Sequence, residues 1–208
     1  MNIENELQQY NVSRETLQKL QDFVALLQEW NAKMNLVSKK SLEDVWQRHV
    51  LDSIQLVKYL PQNLRCLVDI GSGAGFPGVV LAIVLQEKFP EAKVILVESI
   101  TKKTVYLKDV CSKLGLTNTT VENNRIENIS IKNVDVITAR AVAALDVLCS
   151  YAFDLSAKNT QMLFLKGRSY ADEVALAEQK WQYNLQVYPN IYSSDGVVLK
   201  LSNLRKMK

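Results

Sequence analysis

A glycine-rich segment preceded by an aspartate is the part of this sequence best suited to bind a cofactor. It runs Cys66-Leu-Val-Asp-Ile-Gly-Ser-Gly-Ala-Gly-Phe-Pro-Gly78, which predicts an apolar strand, a turn and the start of a helix. Glycine adopts positive φ at little cost and lets a ligand approach the backbone closely. Pro77 fits the first turn of a helix, where its missing N–H is no loss. The segment therefore predicts a nucleotide-cofactor loop.

Two cofactors compete for this loop. The dinucleotide pattern G-x-G-x-x-G is met by Gly73, Gly75 and Gly78, whereas the S-adenosylmethionine (SAM) pattern D-x-G-x-G-x-G begins at Asp69. In a dinucleotide site the first glycine makes the tight turn at the end of the strand. Here that turn falls at Gly71, two residues too early, and Asp69 stands where a carboxylate can face a cationic amino-acid group. The spacing favours SAM.

Glu98 ends the predicted strand Lys93-Val-Ile-Leu-Val-Glu98, where a carboxylate can accept hydrogen bonds from both ribose hydroxyls. NAD would use the same acid, so Glu98 indicates adenosine without choosing the chemistry. After the next strand comes Asn124-Arg-Ile-Glu127, which we expect to lie against the adenine. Glu127 and the backbone of Ile126 are the candidate contacts, and a plain surface loop is the alternative.

The end of the strand Val134-Asp-Val-Ile-Thr-Ala-Arg140 is where the acceptor of the methyl group is expected. It carries neither the Asn/Asp-Pro-Pro-aromatic tetrad of amino-group methylation in DNA nor a Pro-Cys nucleophile. A free lone pair such as guanine N7 suits this site, because such an acceptor needs positioning and no base. Arg140 is the predicted catalytic residue, in a positioning role. Its guanidinium would hold a cofactor carboxylate, a phosphate or the guanine edge, and a structural ion pair is the alternative.

The length and composition of the chain limit the classes of protein to which it can belong. The chain has 208 residues, 48% of them hydrophobic, and 25 basic against 22 acidic side chains, enough for one well-buried domain with a modest appendage. No apolar stretch approaches the ~20 residues of a membrane span, and the N-terminus does not resemble a signal peptide. An odd number of scattered cysteines predicts reduced thiols, no metal site and a cytoplasmic protein.

The sequence predicts an α/β fold. Apolar residues from Leu17 to Trp30 recur at helical spacing, and a second helix is expected from an N-cap at Ser41 to Tyr59. We predict strands at 66–70, 93–98, 119–123, 134–139 and 161–166, then an antiparallel pair at 183–188 and 196–202. This is the Rossmann-like sheet of class I SAM-dependent methyltransferases, with helices on both faces. Residues 1–60 would be a helical extension packed on a 61–208 domain as one compact unit.

Several polar residues outside the predicted cofactor site are also candidates for a functional role. His49 shares a helix face with Asp52 and Ser53; we favour a structural role for this trio over contact with RNA. The predicted phosphate contacts are basic residues at strand ends or in loops, namely Lys39, Lys40, Arg125, Lys166 and Arg168.

Taken together, these residues resemble the RsmG (GidB) family of bacterial small-subunit ribosomal RNA methyltransferases over nearly the whole chain. The carriers are Trp30-Asn-Ala-Lys-Met-Asn-Leu36, Arg48-His-Val-Leu-Asp-Ser53, Asp69 to Gly78, Val97-Glu-Ser99 with Lys102-Lys103, Arg125-Ile-Glu127, Arg140-Ala141 and Leu165-Lys-Gly167. The resemblance implies methylation of guanine N7 at position 527, in the 530 loop of 16S rRNA within the small ribosomal subunit. It also implies SAM contacts at Gly71, Phe76, Ile126, Glu127 and Arg140. We expect a monomer.

Three alternatives stay open at this point. One is another SAM-dependent methyltransferase that acts on a small molecule or on a nitrogen elsewhere in RNA. The second is an NAD oxidoreductase. The third is a nucleic-acid-binding protein without catalysis, against which the intact glycine loop and Glu98 argue.

Overall fold

The alternating strands and helices after Cys66 form one mixed sheet in the computed structural model, which describes residues 3–207. Predictions that involve Met1, Asn2 or Lys208 lie outside the described residues. Within the described range the seven strands are β1 Cys66–Ile70, β2 Lys93–Glu98, β3 Thr119–Asn123, β4 Val134–Arg140, β5 Ser156–Lys166, β6 Trp181–Pro189 and β7 Val197–Lys206. The helices are α1 Ile3–Gln8, α2 Arg14–Asn31, α3 Lys39–Glu43, α4 Asp52–Ile54, α5 Gly78–Lys88, α6 Thr101–Lys113, α7 Leu145–Leu155 and α8 Tyr170–Ala177.

The strand order is β3-β2-β1-β4-β5-β7-β6. Strands β1 to β5 are parallel, and β7 pairs antiparallel with both β5 and β6. The predicted terminal antiparallel pair is thus confirmed. The strand order reverses on either side of β1, and in open parallel sheets ligands bind at the carboxyl ends of the strands beside such a switch point.

Apolar side chains form a core on each face of the sheet. Helices α7 and α8 cover one face, while α5, α6 and the N-terminal helices cover the other. Helix α5 is buried from Gly78 to Leu85, because α2 and α4 cover the side that faces away from the sheet. An all-round apolar helix is stable only in such surroundings.

The N-terminal extension contributes to this second core. Phe23 on α2 is fully buried, with its ring centroid 5.2 Å from that of Phe76. Trp30 meets Tyr106 on α6 edge to face and donates a hydrogen bond of 2.8 Å to Asp109. Each fully buried apolar side chain of this kind contributes about 1.5–3 kcal/mol to folding. The boundary between 1–60 and 61–208 stays a prediction.

The predicted single helix from Ser41 to Tyr59 is wrong. Helix α3 is already capped by Ser38, whose Oγ accepts from the backbone N of Ser41 at 3.2 Å. A π-helical turn at Trp46–Leu51, the short α4 and a 3₁₀ turn at Gln55–Tyr59 follow. The π-helical turn widens the helix by one residue, a feature often found at functional sites, and here tertiary contacts of His49 and Asp52 override the helical pattern.

Several smaller boundaries also differ: β6 begins two residues before its predicted start, and β7 ends four residues after its predicted end. Pro77 precedes α5 and does not lie in its first turn, a difference of one residue within the usual spread of helix ends. Strand β5 begins five residues earlier than predicted, since Ser156 pairs with Val134 across an irregularity in the register.

Candidate active site

The glycine loop turns sharply at the carboxyl end of β1. Gly71, Gly73 and Gly75 all have positive φ, at 66°, 53° and 93°, so the sequence-based prediction of left-handed backbone here is confirmed. The amide of Ser72 donates to the carbonyl oxygen of Val97 at 3.0 Å. That of Gly73 donates to Oε2 of Glu98, also at 3.0 Å. The loop is therefore pinned to the end of β2, with its backbone open towards the sheet edge.

Asp69 lies beneath this loop and is fully buried. Its Oδ1 accepts a hydrogen bond of 2.6 Å from the hydroxyl of Thr138 on β4, and Oδ2 lies under Gly78, where a Cβ would meet it at 2.5 Å. Burial raises the pKa of Asp69 to about 6. The prediction that Asp69 faces the amino-acid group of the cofactor therefore disagrees with this structure, because the strand directs its side chain under the turn. It supports the loop from below.

Glu98 is buried at the end of β2. Its Oε1 accepts from the amide of Ile100 at 2.8 Å while Oε2 accepts from Gly73. A cavity of about 200 Å³ adjoins it, and its lining includes the predicted adenosine contacts Gly71, Glu98, Ile126 and Glu127. The structure thus brings together four residues that are scattered over 57 positions of sequence.

Arg140 ends β4 and reaches across to the π-helical turn. Its Nη1 donates to Oδ2 of Asp52 at 2.9 Å and to the carbonyl oxygen of Arg48 at 3.0 Å, and its Nη2 contacts Nδ1 of His49. The guanidinium carbon lies 5.3 Å from the centre of the Phe76 ring, within the range of a cation–π contact. A structural ion pair is the alternative role that the sequence analysis gave for Arg140, and the structure shows such a pair with Asp52. Arg140 makes this pair while also lining the cleft described next.

The second cavity, of about 730 Å³, is a cleft between the end of β4 and the β6–β7 connection. Its lining includes Arg140, His49 and Asp52, together with Asn190, Tyr192 and Ser193 from the β6–β7 connection. Val142 lines this cleft and the smaller cavity alike. The two cavities therefore adjoin at the loop after β4, above the glycine turn.

Lys166 does not present a free charge to this cleft, contrary to the prediction of a phosphate contact. Its Nζ donates to the carbonyl oxygen of Ala143 at 2.6 Å and pairs with Glu173 at 2.7 Å, leaving the side chain 8% exposed. Arg168 is 84% exposed, although it pairs with Asp195 at 2.5 Å. The remaining predicted phosphate contacts are exposed, namely Lys39, Lys40 and Arg125.

No thiol or imidazole here has the properties of a nucleophile or a base. Burial raises the pKa of Cys111 to about 11 and that of Cys149 to about 12, so both stay protonated at neutral pH. Burial, with the charges of Arg140 and Arg48, lowers the pKa of His49 to about 3.

Among residues 3–207, no group of three or more His, Cys, Asp or Glu side chains is arranged to hold a metal ion, and no helix is long and apolar enough to cross a membrane.

The profile of the family described as "GidB: rRNA small subunit methyltransferase G" matches residues 16–197. The chain belongs to this family. Among its relatives, the ribosomal RNA small subunit methyltransferase G of Cereibacter sphaeroides (strain ATCC 17029 / ATH 2.4.9) is 42% identical over 201 residues, covering 97% of each chain. The protein of the same name from Paramagnetospirillum magneticum is 40% identical, covering 99% of this chain and 98% of its own. The resemblance stated from the sequence is confirmed.

Solved structures confirm the fold class. A SAM-dependent methyltransferase from Aquifex aeolicus superposes with a TM-score of 0.61 at 13% identity, covering 86% of this chain and 97% of its own. The TYW2 protein of M. jannaschii, solved with AdoMet, has a TM-score of 0.59 at 12% identity, covering 85% and 80%. The candidate site of this chain therefore lies at the edge of a class I methyltransferase sheet. Its glycine loop and the buried Glu98 fit an adenosine-containing cofactor.

Several residues at this candidate site could not be identified from the sequence. Asn190 donates to Asp52, and Gln55 bridges both. Tyr192 has its hydroxyl bonded to Gln9 at 3.0 Å and to Tyr10 at 3.1 Å, which ties the turn after α1 to a residue that lines the cleft. Asn190 and Tyr192 lie more than 130 residues after their partners Asp52, Gln55, Gln9 and Tyr10, and no local pattern marks them.

Proposed function

We propose that this chain transfers the methyl group of SAM to N7 of a guanine in the 530 loop of 16S rRNA, at position 527 by family resemblance. The observation that carries the proposal is the pair of adjoining cavities at the carboxyl ends of β1, β2 and β4, in a chain of the small-subunit rRNA methyltransferase family. One cavity suits a nucleoside and the other suits an acceptor base.

The residues of the smaller cavity have the chemistry that SAM requires. The left-handed turn at Gly71 and Gly73 exposes backbone without a Cβ, and Glu98 offers carboxylate oxygens to ribose hydroxyls. Ile126 and Glu127 would contact the adenine. Outside this cavity, Phe76 and Arg140, the latter in the lining of the larger cleft, would face the amino-acid part. When bound, SAM supplies an electrophilic methyl group carried on a sulfonium.

The chain's own contribution to the reaction is alignment. Guanine N7 has no proton to lose, and both ring nitrogens of His49 are already engaged, one with Arg140 and one with Ser41. Neither is available as a general base. Holding the acceptor and donor in line contributes about 7–11 kcal/mol at best, so a site without a base or a nucleophile is sufficient.

The excess of basic over acidic residues, 25 against 22, is too small for tight binding to bare phosphates, which grows with the number of charges neutralised. We therefore expect the protein to recognise the shaped surface of the small ribosomal subunit. The expectation of a cytoplasmic monomer stays a prediction from the sequence. The exposed residues Lys39, Lys40, Arg125 and Arg168 would supply phosphate contacts around the cleft.

Methyl transfer from labelled SAM tests the proposal with three substrates at one near-physiological salt concentration: an isolated 530-loop hairpin, deproteinised 16S rRNA, and assembled subunits that lack the mark. We expect the subunits to be the best substrate, with N7-methylguanine as the product. Efficient methylation of the hairpin would contradict the charge argument. A methylated nitrogen other than guanine N7, or transfer only to small molecules, would support the alternative of another SAM-dependent methyltransferase.

A further inference from the structure

His49 is the single histidine of the sequence, and the mechanism above leaves it without a chemical step. The π-helical turn at Trp46–Leu51 carries it, and its side chain is buried. The ring stacks on Phe76 with centroids 4.8 Å apart and planes 23° apart. One ring nitrogen, Nδ1, contacts Nη2 of Arg140, and the other, Nε2, contacts the hydroxyl of Ser41.

The identity of these partners determines the protonation of the ring. Arginine has five N–H donors, no acceptor, and does not lose its proton in proteins. A hydrogen bond from Nη2 of Arg140 therefore requires a lone pair on Nδ1 of His49. The ring is then neutral with its proton on Nε2, which donates to the Ser41 hydroxyl. Protonated histidine would place two donors face to face.

The same contacts restrain the guanidinium from three sides. Asp52 and the carbonyl of Arg48 hold Nη1, His49 holds Nη2, and Phe76 lies below the plane. Asp52 is itself fixed by Asn190 and Gln55. The hydrogen bonds of Arg140 within residues 3–207 use Nη1 and Nη2 and leave Nε without a partner, and the Arg140 side chain lines the cleft.

We propose that His49 is a positioning residue, which as the Nε2-protonated neutral tautomer accepts from Arg140 and keeps its guanidinium over Phe76 with Nε free for the reactants. This proposal rests on the proposed function only for its effect on methyl transfer. The hydroxyl of Ser41, which contacts Nε2 of His49, belongs to the same set of contacts.

Nitrogen-15 spectra of the imidazole test the tautomer directly, and a chain with one histidine needs no assignment. We expect a protonated Nε2 and an unprotonated Nδ1 that do not titrate between pH 5.5 and pH 8. The charged groups that face the ring are Arg140 from β4 and Arg48 from its own turn. In the Arg140→Ala protein the tautomer preference should weaken and the pKa should move back towards about 6.5. A proton on Nδ1 in the wild-type protein would overturn the proposal.

Two substitutions separate positioning from packing. In His49→Asn the side-chain oxygen falls close to where Nδ1 was and preserves an acceptor for Arg140, whereas His49→Phe preserves the stack on Phe76 and removes the acceptor. We expect the Phe variant to lose about 10- to 100-fold in single-turnover methyl transfer, since a misplacement of about 1 Å can cost about 10²-fold. The Asn variant should retain most of the rate. Equal losses in both variants, or a loss only in the Asn variant, would contradict a positioning role.

The outcomes distinguish the two proposals. If the wild-type protein methylates no RNA while the spectrum shows the Nε2-protonated ring, the proposed function fails and the contact stands. If the protein methylates subunits while the ring carries its proton on Nδ1, the positioning role fails alone. Should His49→Phe not fold, the wild-type spectrum still decides the tautomer.

Discussion

Val142 packs directly against Gly71, so that a Cβ on Gly71 would lie 2.6 Å from its Cγ2. The contact joins the loop after β4 to the glycine turn after β1, at the point where the two cavities adjoin. Gly71 is thus constrained twice, by a φ of 66° and by a neighbouring side chain.

Substitution at Gly71 should be more harmful than at Gly115 or Gly167, whose Cβ positions meet nothing within 4 Å. We expect Gly71→Ala to reduce both the free energy of unfolding and the affinity for SAM, because it adds the clash with Val142 to a left-handed penalty of about 1–2 kcal/mol. Gly115 has a φ of 62° and open space around its Cβ position, so Gly115→Ala should show the backbone penalty alone. Urea unfolding and calorimetric titration with SAM measure both effects.

Gly167 provides the second control, since it has ordinary φ and nothing within 4 Å of its Cβ position. Gly167→Ala should change neither quantity. If Gly71→Ala behaves like Gly115→Ala in both measurements, the contact with Val142 has no energetic consequence.

The buried ion pair between Asp52 and Arg140 should contribute far more than the exposed one between Asp195 and Arg168. Removing one partner of a buried pair leaves an uncompensated charge and costs about 3–5 kcal/mol. We expect Asp52→Asn to approach the lower figure, because the amide keeps the shape and part of the hydrogen bonding. Asp195→Asn is the matched exposed variant and should leave the unfolding midpoint unchanged, as surface pairs are screened by solvent. Similar midpoints for the two variants would contradict this ranking.

Asp69 should make stability depend on pH. Its pKa in the folded protein, about 6, lies above the ordinary value of 3.8, so its contribution is greatest below about pH 4 and is lost as the pH rises through 6. At about 1.4 kcal/mol per pKa unit, wild type should lose about 2 kcal/mol relative to Asp69→Asn between pH 4 and pH 7. Urea unfolding of both proteins at several pH values gives this difference, and parallel curves would show that the pKa of Asp69 is not raised.

Exposed and buried basic residues should differ in their effect on RNA binding. Each phosphate contact that is lost should reduce the slope of log affinity against log salt by about 0.7–0.9. We expect Arg125→Gln and Arg168→Gln to show this change. Lys166→Gln should leave the slope unchanged, because Lys166 is buried and held by Ala143 and Glu173, whereas the pair of Arg168 with Asp195 is exposed to solvent. A reduced slope for Lys166→Gln would mean that its pair with Glu173 opens when RNA binds.

Local patterns in the sequence were enough to predict most of the sheet. Strands β1, β2 and β4 are short, largely apolar runs that end beside turn residues, and Cys66–Ile70, Lys93–Glu98 and Thr119–Asn123 lie where they were predicted. Gly71, Gly73 and Gly75 predicted a left-handed turn because only glycine adopts positive φ cheaply. The position of Glu98 near the glycine loop could also be predicted, since parallel strands end at a common edge of the sheet.

Only the tertiary structure decided which polar groups face the cleft. Asp69 and Lys166 stand at strand ends like Glu98 and Arg140, yet Asp69 is buried under the turn and Lys166 is paired with Glu173. In the segment where the predicted helix after Ser41 is broken, His49 contacts Arg140, which lies 91 positions later in the chain. Periodicity records which face of an element is apolar, whereas the partner of a buried charge is set by chain segments that meet only on folding.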